Sequence, residues 1–69
     1  MVEIFKTNIQ HEGQAAILLD LLSGYYPLHR INFDLDDCDR ILRIEGNNIV
    51  PGKIMELVTS RGFHCEALK

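Results

Sequence analysis

Residues 29–36, HRINFDLD, alternate between apolar and polar side chains. The apolar members are Ile31, Phe33 and Leu35. Because successive side chains of a strand point to opposite faces, this alternation predicts a strand with one buried and one solvated face. Residues 40–46, RILRIEG, repeat the alternation after a short acidic turn at 36–39, with Leu42 and Ile44 inward. The two segments therefore predict a β-hairpin.

Two other segments carry the spacing of three and four residues that is typical of amphipathic helices. The first is 12–26, and its apolar positions are Ala15, Leu18, Leu21, Leu22 and Tyr25. The second begins near Pro51, and its apolar positions are Ile54, Leu57 and Val58. We expect Asn47 and Asn48 to cap the second helix and Gly62 to end it, since these residue types favour those positions.

The segments 2–9 and 63–68 are rich in β-branched and apolar residues and predict a first and a last strand. The predicted order of elements is thus βαββαβ. This order indicates an α+β, ferredoxin-like fold, in which a four-stranded antiparallel sheet carries two helices on one face. Right-handed crossovers give the strand order 4-1-3-2, counting strands along the chain. We interpret residues 1–69 as a single domain.

This topology also predicts which loops are neighbours. The loop at 7–12 and the turn at 61–64 belong to adjacent strands and should lie side by side. The turn at 36–39 lies at the same end of the sheet, but we expect it two or three strand spacings away, beside the far edge.

The composition excludes some classes of partner. The formal net charge is −3 and the Lys and Arg residues do not cluster, so we expect neither nucleic acid nor an anionic membrane to be bound. The sequence lacks a run of about 20 apolar residues and a signal-peptide pattern at its start. Two isolated cysteines, Cys38 and Cys65, fit a reducing compartment, and we expect a cytoplasmic protein.

The second half of the chain resembles the heavy-metal-associated domain family, which includes copper chaperones and the N-terminal modules of metal-pumping ATPases. The resemblance lies in the segment IMELVTSRGFHCEAL (54–68), with its amphipathic helix, its Gly62–Phe63 turn and its final strand. The leucines of the first helix, Leu18, Leu21 and Leu22, match core positions of the family. The resemblance implies the same fold over nearly the whole chain and a role in metal handling.

The family binds its metal through M-x-C-x-x-C in the first loop, where two thiolates can hold a soft ion such as Cu(I). Counted back from Leu18, the Met position falls on Ile9 and the two cysteine positions fall on His11 and Gln14. The stretch here is TNIQHEGQ (7–14), so the chain resembles the family without its CxxC motif.

Three residues are candidate metal ligands in place of that motif. His11 lies in the first loop, and His64 and Cys65 follow the turn that the topology places beside it. Imidazole binds Cu and Zn well, but Gln14, at the second motif position, offers only a neutral amide oxygen, so we predict weak binding of Cu(I) or Zn²⁺. Because neighbours on a strand face opposite ways, His64 and Cys65 cannot both point at one ion, and one of them should pack inward.

An alternative is a metal-free protein-interaction module of the same fold. The segment 29–36 forms an exposed edge in the predicted order, and Ile31 and Phe33 would favour a protein partner or a second copy that paired with it. An enzyme is not expected, because the sequence contains no set of nucleophile, base and orienting residue and no phosphate-binding glycine loop.

Overall fold

The computed structural model describes residues 1–68, and these form a four-stranded antiparallel sheet with two helices on one face. The elements are β1 (Val2–Thr7), α1 (Glu12–Tyr25), β2 (Arg30–Asp34), β3 (Ile41–Glu45), α2 (Pro51–Thr59) and β4 (Cys65–Leu68). The strand order is β2-β3-β1-β4, which is the predicted order read from the other edge. The ferredoxin-like fold is therefore confirmed.

The core lies between the sheet and the two helices. Phe5 of β1 lies opposite Leu42 of β3, and both side chains are fully buried. The helices cover this layer with side chains at the predicted spacing, namely Leu18 and Leu22 of α1 and Ile54 and Val58 of α2. The inward placement of Leu42 and Ile44 and the partial burial of Ile31 and Phe33 also agree with the sequence pattern.

The start of α2 differs from the prediction. The residue before the helix is Val50, which makes no side-chain capping hydrogen bond, and Pro51 occupies the first turn. Asn47 and Asn48 lie too early to cap, because Ile49 must first enter the core, where it is 7% exposed. The helix also ends earlier than predicted, because its last residue is Thr59 and its C-cap is Ser60. Gly62 closes the turn that follows, where its N–H donates to the Thr59 carbonyl at 2.9 Å and its φ of 85° is a conformation that glycine adopts without strain.

Neither helix within residues 1–68 is long and apolar enough to cross a membrane.

Candidate functional site

The loops that could hold a metal meet at the end of the sheet where β1 finishes, and Thr7 anchors them. Thr7 is the one buried polar residue within residues 1–68, with 4% of its surface exposed. Its hydroxyl donates a hydrogen bond to the Arg40 carbonyl at 2.6 Å and accepts one from the Ile9 backbone N–H at 3.2 Å. One side chain thus ties the loop after β1 to the turn before β3.

The β2–β3 turn lies directly beside the first loop, so the prediction that it lies two or three strands away is wrong. The Thr7 backbone N–H donates to the Asp39 carbonyl at 3.1 Å, and the Lys6 ammonium lies 3.7 Å from an Asp39 carboxylate oxygen. The reason is the strand order: β3 is the neighbour of β1, so the turn that leads into β3 meets the end of β1. The turn extends from the edge strand towards the middle of the sheet.

Arg40 makes a second link between these two segments. Its backbone adopts a positive φ of 49°, which is uncommon for a residue with a side chain. From this position the guanidinium Nη1 donates to the Leu35 carbonyl at 3.1 Å and reaches the Gln10 carbonyl at 3.4 Å. The guanidinium therefore holds the turn and the first loop together.

Asn8 joins the first loop to the α2–β4 turn, as the topology predicts. Its side-chain oxygen accepts a hydrogen bond from the His64 backbone N–H at 2.8 Å. This bond links residues that lie 56 positions apart in the sequence. The loop that carries His11 and the turn that carries His64 are consequently held side by side.

His11 is the N-cap residue of α1 and directly precedes the helix. Its carbonyl accepts hydrogen bonds from the Gln14 and Ala15 N–H groups, but its side chain makes no capping hydrogen bond. The imidazole is exposed and folds back over the first turn, so that a Cβ atom placed on Gly13 would lie 3.3 Å from Nδ1. His11 is therefore accessible to an ion from solvent.

Gln14, which falls at the second motif position, has a structural contact instead. Its side-chain oxygen accepts a hydrogen bond from the Gln10 backbone N–H at 2.8 Å. A residue at the third position of a helix commonly bonds back to the chain that precedes the helix. This bond stabilises the loop that presents His11.

His64 is also exposed. Its Nε2 atom lies 3.7 Å from a Glu66 carboxylate oxygen, and 64% of the His64 side chain is accessible to solvent. A contact of this length at such an exposed position is a weak ion pair when the imidazole is protonated. It leaves the imidazole able to exchange Glu66 for another partner.

Cys65 points the other way. It lies opposite Thr7 in the β1–β4 pairing, is 7% exposed and belongs to the core cluster, so it is the inward member of the His64–Cys65 pair. Burial raises the pKa of its thiol from 9.0 to about 11. Because the thiolate is the form that binds metals, Cys65 is a poor ligand at neutral pH.

A different set of potential ligands lies in the β2–β3 turn. Asp37, Cys38 and Asp39 place one ligand atom each within 4.8 Å of one another, and no other group of three or more does so in the stretch from Met1 to Leu68. The turn has its own internal support, since the Asp39 N–H donates to the Asp37 carboxylate at 2.8 Å and the Arg40 N–H donates to the Asp37 carbonyl at 3.0 Å. Exposed acidic groups of this kind commonly occur without a metal.

The structure thus places His11 and His64 on adjacent loops and turns Cys65 into the core. The residues that build this end of the sheet are Thr7, Asn8 and Arg40, none of which the sequence reasoning singled out. For Thr7 a signal existed, because it is a polar residue at an inward position of a strand. For Asn8 and Arg40 no local pattern indicates partners that lie 56 and 30 residues away.

Neither a protein-family model nor a curated protein sequence matches the chain. Among solved structures, the fold is similar to that of the yeast copper transporter domain CCC2A, whose solution structure was determined in the apo and Cu(I)-loaded states. The TM-score is 0.83, and the match covers 99% of this chain and 94% of that chain. The sequence identity is 16%, so the likeness shows a shared fold and nothing more specific.

Proposed function

We propose that this chain is a metal-handling domain that binds an ion weakly through His11 and His64. The observation that carries the proposal is the 2.8 Å hydrogen bond from the His64 N–H to the Asn8 side-chain oxygen, which holds the two histidine-bearing segments next to each other. Both imidazoles are exposed, and neither donates a side-chain hydrogen bond that a metal would have to break.

The donor set fits a loosely held ion of borderline softness. Two imidazoles suit Zn²⁺ or copper, whereas tight selection of Cu(I) relies on thiolates. Cys65 could act as a third ligand only if its buried thiol lost a proton and turned out of the core, and the raised pKa opposes this change. We therefore expect lower affinity than a site with two thiolates would have, and water or a partner's ligand would complete the coordination.

The fold gives the proposal its second support. The CCC2A domain was solved with and without Cu(I), so the same architecture carries a metal in that protein. In this chain the corresponding role would be delivery or sensing of an ion that must be released readily.

An NMR titration tests the proposal. Amide spectra of the reduced protein would be recorded with Zn²⁺ and, separately, with Cu(I), each in the presence of a competing chelator. We expect shifts concentrated at residues 8–14 and 62–66, and we expect both His11→Ala and His64→Ala to abolish them.

The acidic turn supplies the matched control. Cys38→Ser removes the thiol of the Asp37–Cys38–Asp39 group and should leave the shifts unchanged. Shifts confined to residues 36–40 that disappear in Cys38→Ser would contradict the proposal and assign the metal to the turn. The absence of any shift below millimolar metal would contradict metal binding altogether.

A second candidate function, a metal-free interaction module, is favoured by one observation. An open groove lies between α1 and the edge strand β2, lined by apolar side chains from both elements. Such a groove at a sheet edge can receive an added strand.

A further inference from the structure

The groove beside β2 is a gap between α1 and the edge of the sheet, where the apolar layer of the core is open to solvent. Its apolar lining consists of Ala15, Ala16, Leu19, Ile31, Phe33 and Leu35. Ile31 and Phe33 are only half-buried, although their neighbours on β3, Ile44 and Leu42, are fully buried. The core therefore reaches solvent at this edge, where more apolar surface could be covered.

The backbone of β2 is open on the same side. β2 pairs with β3 and has no second neighbour among the strands of residues 1–68. An edge strand presents backbone N–H and C=O groups that can pair with another chain, and proteins usually block such pairing with charged side chains (especially Lys), with Pro, with a bulge or by keeping the strand very short. The strand Arg30–Asp34 contains neither Pro nor Lys.

The charges along β2 are complementary to those of a second, antiparallel β2. Arg30 and Asp34 flank the central residue Asn32 at equal distances, and neither makes an ion pair within the described part of the chain. In an antiparallel pair of identical strands centred on Asn32, Arg30 of each copy lies opposite Asp34 of the other. Opposite charges directly across an antiparallel pair are stabilising.

We propose that a second copy of this chain docks on the β2 edge, so that two sheets join into one across a two-fold axis at Asn32. The same register sets Ile31 of one copy opposite Phe33 of the other. Because residues that lie opposite each other share a face, both sets of helices fall on one side, and the two apolar grooves merge. The contact is isologous and closes on itself, so it produces a dimer and not a fibre.

This inference goes beyond the metal proposal and does not depend on it. A contact built on a five-residue strand and a shallow groove is small, at the low end of stable interfaces, which bury about 1,200 Å² or more in total. We therefore expect a concentration-dependent dimer. A basic extended peptide is the competing occupant, because Glu12, Asp34 and Asp36 line the groove without a Lys or Arg.

Charge exchange tests whether a second copy is the occupant of the β2 edge. Sedimentation equilibrium should show that Arg30→Asp and Asp34→Arg each weaken the dimer about tenfold or more, since each creates two like-charge pairs. The double variant Arg30→Asp/Asp34→Arg should recover most of the lost affinity, and the like-charge pair that it leaves with Glu45, the residue opposite position 30 on β3, accounts for the remainder. Lys53→Asp, a comparable charge change at an exposed position of α2, should have little effect, and circular dichroism checks that every variant is folded.

A cross-link tests the register. Residues directly opposite in an antiparallel pair have Cα atoms about 4.5–5.5 Å apart, which a disulfide can span. In a Cys38→Ser background, Asn32→Cys should form a disulfide-linked dimer under mild oxidation, whereas Lys53→Cys should remain monomeric. A protein that stays monomeric at every concentration, a double variant that fails to recover dimerisation, or cross-linking by Phe33→Cys in place of Asn32→Cys would each overturn the proposal.

Discussion

At the end of the sheet where β1 finishes, His11 and His64 lie exposed on loops, whereas at the opposite end His29 is packed into the structure. The His29 Nε2–H donates to the Asn47 carbonyl at 2.6 Å, and its ring meets the Tyr26 ring edge-on at a centroid distance of 5.1 Å. Its Nδ1 atom is buried without a hydrogen-bond partner among residues 1–68. Neither nitrogen of His29 is therefore available to an ion.

The difference shows that a histidine's role follows from its surroundings and not from its residue type. At the His29 end, the imidazole links the segment after α1 to the segment after β3 by a hydrogen bond, and we call such a link between two segments a joint. At the other end the joints are made by Thr7, Asn8 and Arg40, and the imidazoles extend beyond them. Structure at the first end depends on its histidine, while structure at the second end does not.

Gly46→Ala should be the most damaging change at the His29 end. A Cβ atom at this position would lie 2.7 Å from Cγ and 2.9 Å from Nε2 of His29, and the backbone φ of +157° disfavours a side chain. The ring would have to move and lose its bond to Asn47. We expect a loss of about 2–4 kcal/mol in the free energy of unfolding, measured by urea denaturation.

The chain offers a matched control for this prediction. Gly52→Ala, within α2, places a Cβ that meets nothing within 4 Å and should be neutral or stabilising. If Gly46→Ala does not fold, the double variant Gly46→Ala/His29→Ala should recover part of the stability, because it removes the obstructing ring. Equal stability of Gly46→Ala and wild type would show that the contact between the His29 ring and position 46 does not stabilise the fold.

Thr7→Val tests the joint at the site end and should have an intermediate effect. Valine keeps the shape of threonine but removes the hydroxyl that bonds the Arg40 carbonyl and the Ile9 N–H. The Ile9 bond is buried, so its N–H would lose its partner away from water. We expect a loss of about 1–3 kcal/mol in the free energy of unfolding.

Thr59→Val is the control for this change. The Thr59 hydroxyl donates to the Met55 and Glu56 carbonyls of its own helix at an exposed position, so its loss should cost less than about 0.5 kcal/mol. Increased hydrogen exchange of the 8–11 amides in Thr7→Val alone would locate the damage at the loop. Equal losses in the two variants would show that Thr7 does not anchor the loops.

The sequence was sufficient for the fold because the fold depends on local periodicity. Alternation in 29–36 and helical spacing in 12–26 each reflect a buried face, and the strand order follows from general rules of connection. The predicted cap of α2 was wrong. Asn47 and Asn48 are typical capping residues, but Ile49 packs into the core before the helix begins, and the residue at the cap position is Val50.

The candidate site was less accessible to sequence reasoning. The topology indicated that the loops bearing His11 and His64 are neighbours, and the Asn8–His64 bond confirms it. The inward packing of one residue of the His64–Cys65 pair followed from strand alternation and the preference of cysteine for burial, and it is also confirmed. The predicted position of the 36–39 turn was wrong, because the turn follows the edge strand β2 but leads into β3, which lies beside β1.

The smallest effect on stability is expected for the two exposed histidines. His11→Ala removes a side chain that makes no capping bond, and His64→Ala removes one end of a 3.7 Å contact with Glu66 at the surface. Each should change the free energy of unfolding by no more than about 0.5 kcal/mol in urea denaturation without metal. A loss above about 1 kcal/mol would place that histidine with His29, as a structural residue. Stability close to wild type is also what makes these variants decisive in the metal titration, since any lost metal shift would then report on the missing imidazole and not on a damaged loop.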